Sequence, residues 1–167
     1  MRRKISALVL AAGIFCACLT GCRNFILDDN RRADKTFLAL LSAVESKDSE
    51  ALKSIFSQRA LANADDIDAG IAHLFALFQG TVQTWGGGLP IVSDLWNNGK
   101  NTRQYAVCYT VWTDVDCYSF FLLDYPLHSS KDAVGLYTLR VLRTEDEEKE
   151  ALFLEEKIIL GIYRPTE

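Results

Sequence analysis

Residues 102–125 read TRQYAVCYTVWTDVDCYSFFLLDY, and the fold class turns on how this stretch is taken. Alternation of Tyr105, Val107, Tyr109 and Val111 with Ala106, Cys108, Thr110 and Trp112 predicts a strand from Thr102 to Thr113. Asp114-Val115-Asp116 returns the chain into a second strand, Cys117 to Tyr125, with Phe121 and Leu123 on one side and Tyr118, Phe120 and Leu122 on the other. Both faces of this hairpin are therefore apolar. Helices are expected to cover one face, and a second copy of the chain is expected to cover the other, giving a homodimer through the outer sheet face.

Pairing taken as symmetric about Val115 sets Cys108 opposite Leu122 and Cys117 opposite Thr113. The two sulfurs then lie several rungs apart, beyond the reach of a disulfide. Two unpaired, mostly buried thiols are expected.

Upstream of the hairpin the period is helical. Ala33, Phe37, Leu40, Leu41 and Val44 form one stripe of an amphipathic helix from about Arg31 to Ser46. Asp48 suits the cap of a short second helix, with Ala51, Leu52, Ile55 and Phe56 on its apolar face and an end near Arg59. A polar link through Asn63 leads to a third helix, about Asp65 to Gln79, with its stripe at Ile67, Ile71, Leu74, Phe75 and Phe78 and its stop at Gly80. His73 falls off that stripe, as a surface histidine would.

After Gly80 the period becomes that of strands. Thr81 to Trp85 and Leu89 to Trp96 read as strand material interrupted by Gly86-Gly87-Gly88, and Asn97-Asn98-Gly99 reads as a hairpin turn. The triple glycine is not a phosphate cradle, because no Gly-Lys-Ser/Thr follows and no helix begins there; glycine within a strand marks a bulge or bend. Downstream, Pro126 is expected to end the Cys117 strand, and Leu127 to Asp132 forms a connection. Ala133 to Arg143 is another strand, with Val134, Leu136 and Thr138 alternating against Tyr137, Leu139 and Val141. The charged run Glu145 to Glu150 reads as a solvated loop, and Ala151 to Leu154 and Lys157 to Tyr163 as closing strands.

The N-terminus carries an address. Arg2, Arg3 and Lys4 precede an apolar run from Ile5 to Leu19, the layout of a secretory signal. An uncleaved anchor needs about 20 apolar residues, and Ser6, Gly13 and Thr20-Gly21 interrupt this run. Leu19-Thr20-Gly21-Cys22 resembles a bacterial lipobox, which implies cleavage before Cys22 and acylation of its thiol. The expected organisation is a removed signal peptide over 1–21, a lipidated tether over 22–32 and a single domain over 33–167, held at the cell membrane and facing outside the cytoplasm.

Charge narrows the partners. The chain has 18 Lys+Arg and 22 Asp+Glu; removing Arg2, Arg3 and Lys4 leaves 15 against 22, or 7 net negative. That balance argues against nucleic acid and against electrostatic adhesion to anionic lipid. No cofactor or metal is implied. Asp114 and Asp116 are too few for calcium, which takes six to eight oxygens, and His128, Asp94 and Asp124 have no recognisable catalytic setting. Trp85, Tyr109 and Trp112 sit on strands and combine an apolar body with a polar tip, so they are the candidate lining of a ligand pocket, set against ordinary core packing.

Three helices followed by antiparallel strands is an α+β arrangement with the helices on one face of a bent sheet. The helix–strand order, the short second helix and the glycine bend resemble the nuclear transport factor 2 like (cystatin-like) superfamily, which implies a cone with a bent antiparallel sheet of four to six strands. The segment Asp34 to Phe56, the stretch Lys131-Asp132-Ala133-Val134-Gly135-Leu136-Tyr137 and the closing Gly161-Ile162-Tyr163-Arg164-Pro165 resemble a family of bacterial lipoproteins labelled domain of unknown function 5104. Neither likeness implies a catalytic residue. The function expected is a lipid-anchored extracytoplasmic domain that binds a small molecule, peptide or protein. The alternatives are an enzyme using Asp94 or Asp124 as an acid in the cone pocket, and a purely structural or assembly role.

Overall fold

The structure, a computed structural model, describes residues 28–97, 99–146 and 159–164. The chain divides after Arg32 into two units. Of the first, residues 28–32 are described and are helical, where a polar tether was expected. Cys22 and the rest of the proposed signal and tether lie outside the described residues, as does Ala151 to Leu154.

In the second unit the first helix, α1, occupies 33–45. Its stripe of Ala33, Phe37, Leu40, Leu41 and Val44 is buried, as its spacing predicts. Three short helices follow: α2 (Ser49–Ile55), α3 (Gln58–Asn63) and α4 (Ile67–Leu77). Each begins at a side chain that accepts a bond from an otherwise orphaned backbone N–H. Asp48 accepts from Ala51 N, Ser57 from Ala60 N, and Asp66 from Ala69 N. The link expected through Asn63 is thus a helix in its own right. Its start is fixed by Ser57, whose own N–H donates to the Leu136 carbonyl at 2.9 Å.

Among the described residues six strands follow: β1 (Val82–Gly87), β2 (Ile91–Asn97), β3 (Lys100–Thr113), β4 (Cys117–Leu127), β5 (Gly135–Arg143) and β6 (Gly161–Ile162). They form one curved, unclosed sheet ordered β1-β3-β4-β5-β6, with β2 also paired to β3. The sheet is antiparallel except at its end, where β6 runs parallel to β5. An all-antiparallel sheet was expected.

The hairpin that decides the fold is offset by one residue from symmetry about Val115. Trp112 faces Cys117, Tyr109 faces Phe120 and Cys108 faces Phe121. Thr113 is the cause: its hydroxyl accepts the N–H groups of Val115 (3.2 Å) and Asp116 (2.9 Å), and its own N–H donates to the Asp116 carbonyl at 2.9 Å. The turn therefore closes over 113–116. A one-residue slip would move Tyr118, Phe120 and Leu122 to the opposite face; in the observed register they join Tyr105, Tyr109 and Val111 under the helices.

Irregularities bend the sheet. The ladders shift at Gln83 on β1, at Tyr125–Pro126 on β4 and at Tyr137 on β5, each an extra residue that raises local twist. The Tyr137 bulge explains why Leu136 and Leu139 both reach the core, where strict alternation would have put them on opposite faces. Pro126 does not end β4, which continues to Leu127; β5 pairs only as far as Tyr125, so no β5 carbonyl needs a donor from residue 126. Gly87 pairs with Tyr109 so closely that a Cβ there would lie 2.4 Å from the ring. Gly135, at φ +122°, lies against the backbone of Ser57, where only glycine fits.

Candidate interaction surface

The three candidate pocket residues divide between the two faces of the sheet. Tyr109 is buried on the helix side, stacked on Phe37 with ring centroids 3.9 Å apart, and Trp85 meets both rings at 5.2 and 5.9 Å. The Tyr109 hydroxyl donates to Asp34 Oδ1 at 2.9 Å. Burial, and then that carboxylate, push the phenol far above its usual range. Trp85 and Tyr109 are thus brought together, with Phe37 of α1 filling the space between helix and sheet. Trp112 stands on the outer face and is exposed.

Asp94, Asp114, Asp116 and His128 are each engaged in holding the fold. Asp94 faces Arg103 across β2 and β3 and accepts two bonds from its guanidinium, at 2.8 and 2.7 Å. Those bonds lower the Asp94 carboxyl below its ordinary value. Asp114 accepts from Thr81 N at 2.6 Å, tying the start of β1 to the hairpin tip. Asp116 accepts from Cys117 N and pairs with Arg143 at 3.1 Å. Asp124 is buried where β4 faces Tyr105 on one side and Leu136 on the other.

His128 accepts from Ser130 N through Nδ1 at 2.9 Å and packs against the edge of the Tyr125 ring, whereas His73 is half-buried on α4. Arg59 makes a two-pronged link to Asp132, whose carboxylate also takes the Ser130 hydroxyl, so α3 is joined to the β4–β5 connection. Among the described residues no group of three or more His, Cys, Asp or Glu is placed to hold a metal ion. Nor is any helix there long and apolar enough to cross a membrane.

Cys108 and Cys117 are not joined to each other. Their rungs are four residues apart along β3, roughly 13 Å at strand rise, as the sequence argument required although its register was one residue off. Burial of the thiols was also expected, but Cys108 is exposed and Cys117 partly so. The reason is that the outer face is covered unevenly. On β4 and β5 its positions Ser119, Leu123, Thr138 and Leu142 are buried, and Thr138 Oγ1 donates to the Ile159 carbonyl at 2.7 Å. On β2 and β3 it is open.

That open part is the candidate surface. Ile91 and Leu95 of β2 pair with Ala106 and Thr102, so they share the outer face with Cys108 and Trp112. Ile91 is 68% and Leu95 60% exposed; Leu89, just before β2, is 71% exposed, and Trp96, which pairs with Asn101 and so faces the opposite way, is 72% exposed. Large apolar side chains grouped this way mark contact sites more often than isolated ones do. They bring no acid, base or nucleophile, and their chemistry is the removal of apolar area from water. Sequence reasoning found Trp112 by alternation but passed over Ile91 and Leu95, whose exposure depends on the outer face being open at β2 while it is packed at β4 and β5. The Asp34–Tyr109 bond also went unread, because its partners lie 75 residues apart.

The sequence model of one family, described as Domain of unknown function (DUF5104), matches residues 39–145, from the middle of α1 through β5. No curated protein matches the chain in sequence. The chain belongs to the DUF5104 family.

Proposed function

Taking the chain as a DUF5104 domain, we propose that it is a lipid-anchored, extracytoplasmic interaction domain that engages a partner protein through the open part of its outer sheet face. The observation that carries this reading is the pair Ile91 and Leu95, exposed on the outer face of β2, with Trp112 exposed farther along the same face on β3, in a sheet whose other apolar positions are largely packed. The address rests on the basic start, the apolar run and the lipobox-like Leu19-Thr20-Gly21-Cys22. A single acyl chain holds a membrane only marginally, so the diacylglyceryl group implied at Cys22 supplies the anchor. Helices on one face of a curved, unclosed sheet support the likeness to the nuclear transport factor 2 like superfamily.

Two arms test the reading. Cys22→Ser should release the protein from membranes; equal retention would contradict the address. A photoreactive amino acid in place of Trp112 should give covalent protein adducts in cells, while the same group in place of Lys35, exposed on α1, should give none. Adducts at neither position would contradict the surface.

A further inference from the structure

The edge of the sheet next to the open face has a pattern that the general interaction reading does not use. β2 pairs with β3 on one side, and among the described residues no strand pairs with its other side. Exposed edges in native proteins are blunted by charge, bulges, proline or brevity, because an unpaired row of N–H and C=O groups recruits other strands. β1, on the same edge, carries a bulge at Gln83 and two glycines. β2 carries a regular seven-residue ladder, and its one charge, Asp94, is turned to Arg103 of the neighbouring strand.

The side chains of β2 are arranged symmetrically about Ser93. Ile91 and Leu95 lie two residues to either side of it on the outer face, and Val92 and Asp94 flank it on the other. We propose that β2 pairs antiparallel with β2 of a second copy of this chain, about a twofold axis at Ser93. In that register Ile91 meets Leu95 of the partner subunit twice, Val92 meets the partner's Asp94, and Trp96 lies against the partner's Pro90. The next register, centred on Asp94, would set the two Asp94 carboxylates directly opposite each other, which is destabilising. Charge thus excludes that register, and the match of Ile91 with Leu95 favours Ser93.

The pairing also covers apolar surface: Ile91 and Leu95, exposed on the outer face, shield each other across the axis, and Trp96, exposed on the opposite face, lies over Pro90 of the partner subunit. An isologous contact of this kind uses one patch twice. The inference rests on the interaction reading and on its membrane tether, which holds two copies at raised local concentration.

The test is disulfide trapping in the full-length chain, in intact membranes, with Cys108 and Cys117 replaced by serine. Directly opposed residues of an antiparallel pair have Cα atoms about 4.5–5.5 Å apart, within disulfide reach. Ser93→Cys should convert most of the protein on mild oxidation to a species of twice the mass. Leu95→Cys should do so roughly tenfold less, because across this axis the two 95 positions lie about 13 Å apart. Adding Leu95→Lys to Ser93→Cys should remove the trapped dimer, because it places a charge against the partner's Ile91.

Trapping at 95 in preference to 93, or trapping at 93 that survives Leu95→Lys, would overturn the proposed pairing. A product at 93 of a mass other than twice the chain's would overturn it too, while leaving the interaction surface standing. Absence of any product at 93, together with absence of adducts at 112, would remove both.

Discussion

β1 and β2 follow one another along the same edge of β3, yet only β1 is packed. Trp85 of β1 meets Phe37 of α1 and Tyr109 of β3, and Gly87 admits the Tyr109 ring against the strand. β2, a few residues later on the same ladder, leaves Ile91, Leu95 and Trp96 in water. β2 has the more apolar residues, Ile91, Val92, Leu95 and Trp96 against Val82 and Trp85 of β1, so composition does not account for the difference. Facing does: Trp85 points to the helix side, where Phe37 reaches it, whereas Ile91 and Leu95 point to the open outer face and Val92 is the β2 residue that packs against the core. Apolar side chains on β1 are thus explained by folding, and those on β2 are left for contact.

The strongest way to break this contrast is Phe37→Ala. Phe37 is fully buried and meets Tyr109, Trp85 and Phe120. Its truncation should cost about 3–5 kcal/mol, read from equilibrium denaturation. A loss under about 1 kcal/mol would mean that α1 does not hold the β1 half.

Next comes a pair of neighbouring glycines. Gly87→Ala places a methyl 2.4 Å from the Tyr109 ring, which cannot retreat from its stack on Phe37. It should cost about 1–3 kcal/mol. Gly86→Ala meets only the Trp112 ring at 3.7 Å, an ordinary contact, and should change stability by less than about 0.5 kcal/mol. Equal effects would remove the case for close approach at Gly87.

On the β2 half the effect is smaller and depends on pH. Asp94 has a folded-state pKa below its unfolded value, set first by the hydrogen bonds from Arg103. Its contribution is therefore present above the ordinary carboxylate range and lost as pH falls through the folded value. The pair is partly solvated, so screening keeps it below about 1 kcal/mol. Asp94→Asn should be slightly less stable than the parent at about pH 7, with the gap closing as pH falls below the ordinary carboxylate range and narrowed by salt. A gap that widened on acidification would reverse the assigned role.

Thiol reactivity sharpens the contrast between faces without altering the fold. In the folded protein Cys108 should be modified by a thiol reagent faster than Cys117, in keeping with its greater exposure. The reverse order would put the open part of the outer face in the wrong place.

What the sequence made legible was local. The α1 stripe at Ala33, Phe37, Leu40, Leu41 and Val44, the cap at Asp48, and the alternation of Tyr105 to Val111 all depend on neighbours within a turn or a rung. The misses came from interactions at longer range or finer grain. Thr113 shifted the hairpin by one residue through its hydroxyl, and Tyr137 reversed faces on β5 through a bulge. Ser57 started an unforeseen helix partly by bonding to Leu136, far along the chain. The parallel pairing of β6 with β5 cannot be read from a short apolar run. For the candidate surface, alternation showed that an outer apolar face exists; which part of it stays open was decided by elements distant in sequence.

The most direct test of the claim that β2 carries its apolar residues for contact is the unfolding free energy of the double variant Ile91→Ser/Leu95→Ser, measured at protein concentrations too low for self-association. The account predicts a value within about 1 kcal/mol of the parent, as for exposed positions that support no core. A loss of several kcal/mol, approaching that of Phe37→Ala, would show that these side chains belong to the fold and contradict the account.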